Sequence, residues 1–348
     1  MTREEVFDIF QKRKDAYLFD MHPVENPTAY LLGGQGAVGK GALMNKVKNE
    51  NTGMSSVLSI NGDVYRTEHP DESNLKKEPE TFSQNTQIFS SVFTEGLINE
   101  AISGQFNVVV EGTMRNPETP MKTAEQFRKN GFRVEAYAIA APGEFSTLNL
   151  YTRYANEVST AGNGRLADKK SHDTAIEGLP ISLDALYKEK AVDAIHIYSC
   201  FAKEKVFEYT LQNGNWNSSE LPSQIVARSR EEQKNDIPTI LSILERSREI
   251  DKLGLPPSIM KEVNKARRNL LNLLAIGEKP AQVFELKDKT LAIRYPGETD
   301  SHRLSEQEHT LFKMFQGKEE SDLLMPALTR IHREQEPQQM TVSKGLKR

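Results

Sequence analysis

The stretch YLLGGQGAVGKGALMNKV, residues 30–47, has the spacing of a phosphate-binding loop: Gly34 opens it, Gly39 and Lys40 close it, and apolar residues stand on either side. Glycines let successive backbone N–H groups curl around the β- and γ-phosphates of a nucleoside triphosphate. The start of the following helix adds the positive end of its dipole, and lysine adds a point charge. The nucleotide-holding set is then Gly34, Gln35, Gly36, Ala37, Val38, Gly39, Lys40 and Gly41. Gly41 is the departure, because the motif wants a Ser or Thr hydroxyl directly after the lysine to sit on magnesium. A water can replace one protein hydroxyl, since magnesium keeps several waters in such sites, with Asp63 or Thr113 holding it from further out. No set of direct metal ligands is assigned.

Asp63 ends the apolar run SVLSINGD, where a carboxylate is placed to accept a proton from a hydroxyl attacking the γ-phosphate. An aspartate at such a point equally serves as a helix N-cap. Arg66 and His69 follow, and each either contacts substrate or is solvated. Glu111, Thr113 and Arg115, in EGTMR, close a third apolar run. An acid there orders magnesium waters or a substrate hydroxyl, and an arginine clamps phosphate bidentately, although the same residues also suit a buried ion pair. Arg153 in TRYANEV and Arg165 in GNGRLAD are cations that a lid can bring to the γ-phosphate; singly, each reads more simply as a solvated arginine. His172 and Asp173 read as a helix cap and its neighbour, and Cys200 as a small buried residue.

The elements that must position these groups alternate. An amphipathic opening helix (Val6, Ile9, Phe10, Tyr17, Leu18) precedes the strand PTAYLLGG and a helix carrying Leu43, Met44 and Val47. Then come the strand SVLSINGD, a long helix over residues 84–103, the continuously apolar strand FNVVVEGT, the helix PETPMKTAEQFRKNG and the strand FRVEAYAIAAP. Such alternation predicts βαβ units in a doubly wound, mostly parallel α/β sheet of the P-loop kinase-like kind, with ligands at the carboxyl ends of the strands. Those ends carry Gly33 to Lys40, Asp63, and Glu111 to Arg115. Two further helices flank the polar loop TAGNGRLADKKS; DAIHIYSC reads as a last strand, and VFEYTLQNGNW as a strand entering a turn at Asn213 and Gly214. From Ser219 helical stretches dominate, interrupted by a hairpin in QVFELKDKTLAIRYPG, and the tail REQEPQQMTVSKGLKR reads as polar and mobile.

Composition narrows the classes. With 37% hydrophobic and 27% charged residues and a mean hydropathy of -0.58, the chain reads as globular, without membrane-spanning runs. The net charge of -4 disfavours non-specific nucleic-acid binding, which needs a dense positive surface. A single cysteine and a start without a secretory apolar region point to a cytoplasmic setting.

Taken together, GGQGAVGK, INGDVYRTEHP, TEGLINEA, the run from VVVEGTMR to YTRY and the later GRLADKKSHD resemble the zeta toxin family in order and spacing over roughly residues 25–200. The resemblance implies a P-loop kinase using ATP (or GTP) and Mg²⁺ to phosphorylate the sugar 3'-hydroxyl of UDP-N-acetylglucosamine or a related UDP-amino sugar. It also implies a toxin that interferes with peptidoglycan synthesis and is restrained by a small helical antitoxin, with no nucleic-acid or membrane partner. Carried over by position, it makes Lys40 the phosphate-binding lysine, Asp63 the base, and Arg153 and Arg165 the pair reaching the γ-phosphate. Glu95, Glu111, Thr113 and Arg115 would line the acceptor site, with Arg66 beside them. Gly41 departs from the family's hydroxyl. Residues 1–217 form the expected kinase domain, and residues 218–348 a mainly helical extension whose role stays open among inhibition, target binding and scaffolding. Two rival readings remain: another acceptor, such as a nucleic-acid end, a nucleoside or a small metabolite, or a catalytically attenuated nucleotide-binding regulator.

Overall fold

The computed structural model describes residues 1–50, 56–162, 164–166, 168–318 and 320–345, the side chains of 79, 80 and 335–345 excepted. The chain folds as two compact units, Met1–Ser146 with Asn156–Gln233, and Thr147–Ala155 with Lys234–Arg348.

In the first unit, helix α1 (Arg3–Leu18) starts at a reciprocal cap: Thr2 Oγ1 accepts from the Glu5 backbone N–H, and the Glu5 carboxylate accepts from the Thr2 backbone N–H. Next come β1 (Thr28–Gly33), α2 (Lys40–Glu50) and β2 (Leu58–Asn61). The short helices α3 (Glu72–Leu75) and α4 (Pro79–Asn85) lead into α5 (Gln87–Gly104). The helix expected over residues 84–103 is thus broken at buried Thr86, whose hydroxyl donates to the Phe82 carbonyl one turn back and competes with the helical pattern. Strand β3 (Val108–Glu111), α6 (Glu118–Lys129), β4 (Arg133–Ile139), α7 (Gly143–Ala161), α8 (Lys169–Lys188) and β5 (Ala194–Tyr198) follow as expected. The expected polar loop lies between α7 and α8, and its residues 163 and 167 are outside the described ones.

Seven strands make one sheet in the order β2-β3-β1-β4-β5-β6-β7, and the first five are parallel. Strand β5 is not the last. Strands β6 (Lys205–Gln212) and β7 (Asn215–Trp216) extend the sheet antiparallel through a turn at Asn213 (φ +50°) and Gly214 (φ +75°). All six residues of β1 are buried, as a central parallel strand requires. Helix α9 (Pro222–Gln233) goes with this unit: Ser223 bonds Asp184 on α8 through its N–H and hydroxyl at 2.9 Å, and Gln233 Nε2 donates to the Ala140 carbonyl at 2.6 Å.

The second unit contains α10 (Ile237–Arg246), α11 (Arg248–Asp251), α12 (Pro257–Ala275), α13 (Glu306–Phe315) and α14 (Ser321–Gly345). Its small antiparallel sheet has the expected hairpin, β8 (Gln282–Glu285) and β9 (Leu291–Arg294), with β10 (His302–Arg303) beside β9. Ile240, Ile243, Leu244, Leu270, Leu271, Leu328 and Ile331 supply its buried apolar faces. The expected mobile tail falls on α14 and on residues 346–348, which lie outside the described residues. Among the described residues no helix is long and apolar enough to cross a membrane.

Candidate active site

Strand register builds the site. In the parallel ladder Asn61 pairs with Glu111, and Glu111 with Leu32, so β2, β3 and β1 finish at one level just before the glycine loop. Residues 34–39 then turn with left-handed backbone at Gly34 (φ +143°), Ala37 (φ +60°) and Gly39 (φ +98°) before α2 begins at Lys40. At Gly39 a side chain is excluded in any case, because a Cβ there would stand 2.6 Å from Phe201 Cα, where the Phe201 N–H donates to the Val38 carbonyl at 2.8 Å.

Lys40 Nζ donates to the carbonyls of Gly34 (2.9 Å) and Gln35 (3.0 Å) and lies 3.8 Å from Glu111 Oε1. The lysine is therefore folded over its own loop, beside an acid. Glu111 Oε2 accepts from Asn61 Nδ2 at 2.9 Å, and Asn61 Oδ1 accepts from the Asp63 N–H at 2.9 Å. Asn61 thus ties the two candidate acids together. In the sequence its one mark is that of a polar residue ending a buried strand.

Asp63 is not a capping aspartate. It precedes the short 3₁₀ turn Val64–Glu68 with no side-chain cap bond, and its carboxylate instead meets two arginines. Arg165 contacts it bidentately, Nη1 and Nη2 each at 2.7 Å, and Arg66 Nε donates to Oδ1 at 3.0 Å. Burial alone would raise its pKa, yet the hydrogen bonds and charge of Arg165, with Arg66, hold it well below the usual carboxylate range. In this pairing Asp63 is held as the ionised carboxylate.

The two arginines are held differently. Arg66 is buried, and its fork faces inward: Nη1 donates to the Ser83 carbonyl (2.6 Å) and Thr86 Oγ1 (3.3 Å), and Nη2 to Gln87 Oε1 (3.0 Å). Arg66, expected at the substrate, keeps its Nε on Asp63 while its fork is bonded within the protein. Arg165 follows the α7 cap, with its backbone N–H donating to Glu157 at 2.8 Å.

Thr113 is half-buried and Arg115 exposed, on the loop after β3. Helix α8 seats that loop: Ser182 Oγ donates to the Met114 carbonyl at 2.7 Å, and a Cβ at Gly178 would stand 2.0 Å from the Arg115 carbonyl oxygen. Glu95, expected to face substrate, is paired with Arg3 of α1. Arg153 lies on α7 within the segment Thr147–Ala155 that packs with the second unit. His69 lies beside Phe89, with ring centroids 5.0 Å apart, and Cys200 is buried, its N–H donating to Gln233 Oε1 at 2.8 Å. His172, expected as a cap, is buried; Asp168 is the residue that caps α8, accepting from the Ser171 N–H at 2.8 Å.

Known proteins resemble this chain in sequence and in fold. The family model described as Zeta toxin matches residues 14–217. Toxin zeta of Enterococcus hirae is 33% identical over 181 residues, 51% of this chain and 62% of its own length. The chain therefore spans less than two thirds of that relative. Toxin PezT of Streptococcus pneumoniae is 30% identical over 50% of this chain and 69% of its own. A solved structure from the PezAT chromosomal toxin-antitoxin system of that pathogen has the same fold, with a TM-score of 0.56 at 22% identity, covering 79% of this chain and 98% of its own. With well over half of its length matched by the family model and its strand ends, glycine loop and acids in register, this chain belongs to the zeta toxin family.

Proposed function

We propose that the chain is an ATP- (or GTP-) and Mg²⁺-dependent kinase that phosphorylates the sugar 3'-hydroxyl of UDP-N-acetylglucosamine or a related UDP-amino sugar, acting in the cytoplasm as the toxin of a toxin-antitoxin pair that interferes with peptidoglycan synthesis. The observation that carries this reading is the convergence of Lys40, Glu111 and Asp63 on adjacent strand ends, with Arg165 clamped on the acid.

The residues fit a nucleoside triphosphate. The left-handed turns at Gly34, Ala37 and Gly39 make an anion-binding concavity, and residues 34–41 would hold the phosphates, with Lys40 leaving its two carbonyls for phosphate oxygen. Magnesium fits as an ion carried largely by water and nucleotide oxygens. Gly41 offers no ligand but leaves open space, and the described residues contain no cluster of His, Cys, Asp and Glu able to hold a metal alone. Bound there, the nucleotide supplies the phosphoryl group.

This chain's residues then do four things. Arg165 moves from Asp63 toward phosphate, which frees the carboxylate and neutralises charge where it develops. Asp63, aimed by Arg66 and Asn61, takes the acceptor's hydroxyl proton as that oxygen bonds to phosphorus and the bond to the departing diphosphate breaks. Glu111, Thr113 and Arg115 orient the acceptor, with Glu95 reaching it once released from Arg3. Arg153 is assigned to the phosphate on the family resemblance. The acidic net charge argues against a nucleic-acid acceptor.

The test is ³¹P NMR of the protein with Mg²⁺·ATP and a panel of UDP-sugars, run beside Asp63→Ala. A new phosphomonoester signal absent from the variant supports the reading, and silence across the panel with ATP bound overturns the acceptor. Gly41 favours a second reading, an attenuated nucleotide-binding regulator, which a large gain in turnover by Gly41→Ser would support. An antitoxin is proposed as partner because one related structure comes from a toxin-antitoxin system, and it is taken as small and helical on the family resemblance alone; a neighbouring short gene product that neither co-purifies nor relieves growth arrest would count against it.

A further inference from the structure

Apart from the groups just assigned, one buried polar chain runs from α8 to the glycine loop. Asp173 Oδ1 lies 3.3 Å from His172 Nδ1, and His172 Nε2 lies 3.0 Å from Ser146 Oγ, which accepts from Gln35 Nε2 at 3.3 Å. The other Gln35 amide proton goes to the Ala141 carbonyl at 3.0 Å. Gln35 and Ser146 are fully buried, and the His172 side chain is 1% exposed. The chain ends on Lys40, because the Gln35 carbonyl is one of the two that accept from Nζ.

The carboxylate beside Nδ1 favours one tautomer of the histidine. Asp173 is also paired with Lys169 at 2.6 Å and so presents a fixed carboxylate to Nδ1–H. With Nδ1 protonated, neutral His172 accepts at Nε2, and Ser146 can turn its single proton toward the ring while its lone pair takes the Gln35 amide. Burial favours this neutral form by lowering the ring's pKa; Asp173 opposes the shift, and Lys169 and Lys40 add to it. Without His172, Ser146 has only the Gly143 and Pro142 carbonyls, at 3.1 and 3.4 Å, for its proton. Its proton then turns back onto its own helix, and the lone pair facing Gln35 is no longer oriented by the ring.

We propose that His172 is a positioning residue for the phosphate loop: through Ser146 it holds the Gln35 side chain, and with it the backbone of residue 35 on which Lys40 rests. The proposal deepens the nucleotide-binding reading above and rests on it. Gln35 is the one long polar side chain among residues 34–39, and it is anchored at the side away from Lys40 by this relay. Loop position, more than acceptor binding, should respond when the relay is cut.

The experiment compares His172→Ala, His172→Gln and Ser146→Ala with the unmodified protein. It reads calorimetric affinity for Mg²⁺·ATP, the separate KM values for ATP and acceptor, and hydrogen exchange of the amides of 34–41. Cutting the relay with His172→Ala or Ser146→Ala should weaken ATP affinity and raise its KM roughly tenfold with the acceptor KM unchanged, and should speed loop exchange. His172→Gln, whose amide still reaches Ser146, should recover to within about threefold of the starting affinity. Loss of thermal stability with unaltered ATP affinity and loop exchange would mean a merely structural histidine and overturn the proposal. So would a folded His172→Gln that recovers nothing. If the unmodified protein binds no nucleoside triphosphate, the reading beneath fails, while loop exchange in the variants still decides whether His172 holds the loop. Should His172→Ala not fold, Ser146→Ala and His172→Gln carry the same comparison.

Discussion

Each unit sets an arginine against an aspartate, and the two pairs are built for different ends. In the second unit Arg267 is 1% exposed: Nε donates to Ser247 Oγ (3.0 Å), Nη1 to Asp251 (2.8 Å) and Nη2 to the Ser247 carbonyl. A backbone oxygen and a hydroxyl complete that guanidinium, so no anion arriving from outside could improve its position. In the first unit the described bonds of the Arg165 side chain all go to one partner, Asp63, whose side chain is 49% exposed. In the proposed mechanism it is this arginine that leaves its acid for phosphate. A bidentate pair held by a single exchangeable acid behaves as a latch, whereas one completed by backbone is a rivet.

Four measurements test whether the two pairs differ in this way. The largest effect is expected for Arg165→Ala, which should lower turnover by about 10³-fold while moving thermal stability by less than about 1 kcal/mol, as measured by single-turnover kinetics beside calorimetry. Arg267→Met should do the reverse: a loss of about 2–3 kcal/mol in denaturant unfolding, because Asp251 and the Ser247 groups lose their partner, with the chemical rate unchanged. If both variants lose stability alike, the latch and rivet distinction fails. Gly178→Ala, whose Cβ has no room against the Arg115 carbonyl, should cost about 1–3 kcal/mol and raise the acceptor KM with little change in that for ATP. Smallest is Gly41→Ser: nothing lies within 4 Å of the added Cβ, so it should fold normally, add up to about 0.5 kcal/mol of helix stability, and lower the magnesium concentration needed for half-maximal turnover. An unchanged magnesium dependence would mean that water already fills the role of the hydroxyl.

The regular elements of the first unit could be read along the chain because each rests on local pattern. Buried parallel strands are apolar throughout, α6 ends at Asn130 ahead of a glycine in positive φ, and the turn at Asn213 and Gly214 carries its own backbone signature. The break at Thr86 was not legible, since it depends on a side chain reaching back one turn. Nor was α9's place. A helix following a polar link carries no mark of which unit it joins until Ser223 meets Asp184.

The glycine loop before a helix, the acids at two strand ends and the βαβ order are all legible along the chain, because spacing and periodicity are local properties that burial and backbone geometry impose directly. Long-range packing is what brings Arg165, 102 residues from Asp63, onto that acid, turns Arg66 inward, joins the two acids through Asn61 and connects His172 to the loop through Ser146. Those are choices of partner, made when strand register and helix packing bring distant side chains within about 3 Å, and hydrogen bonding at that range leaves no periodic trace in the chain.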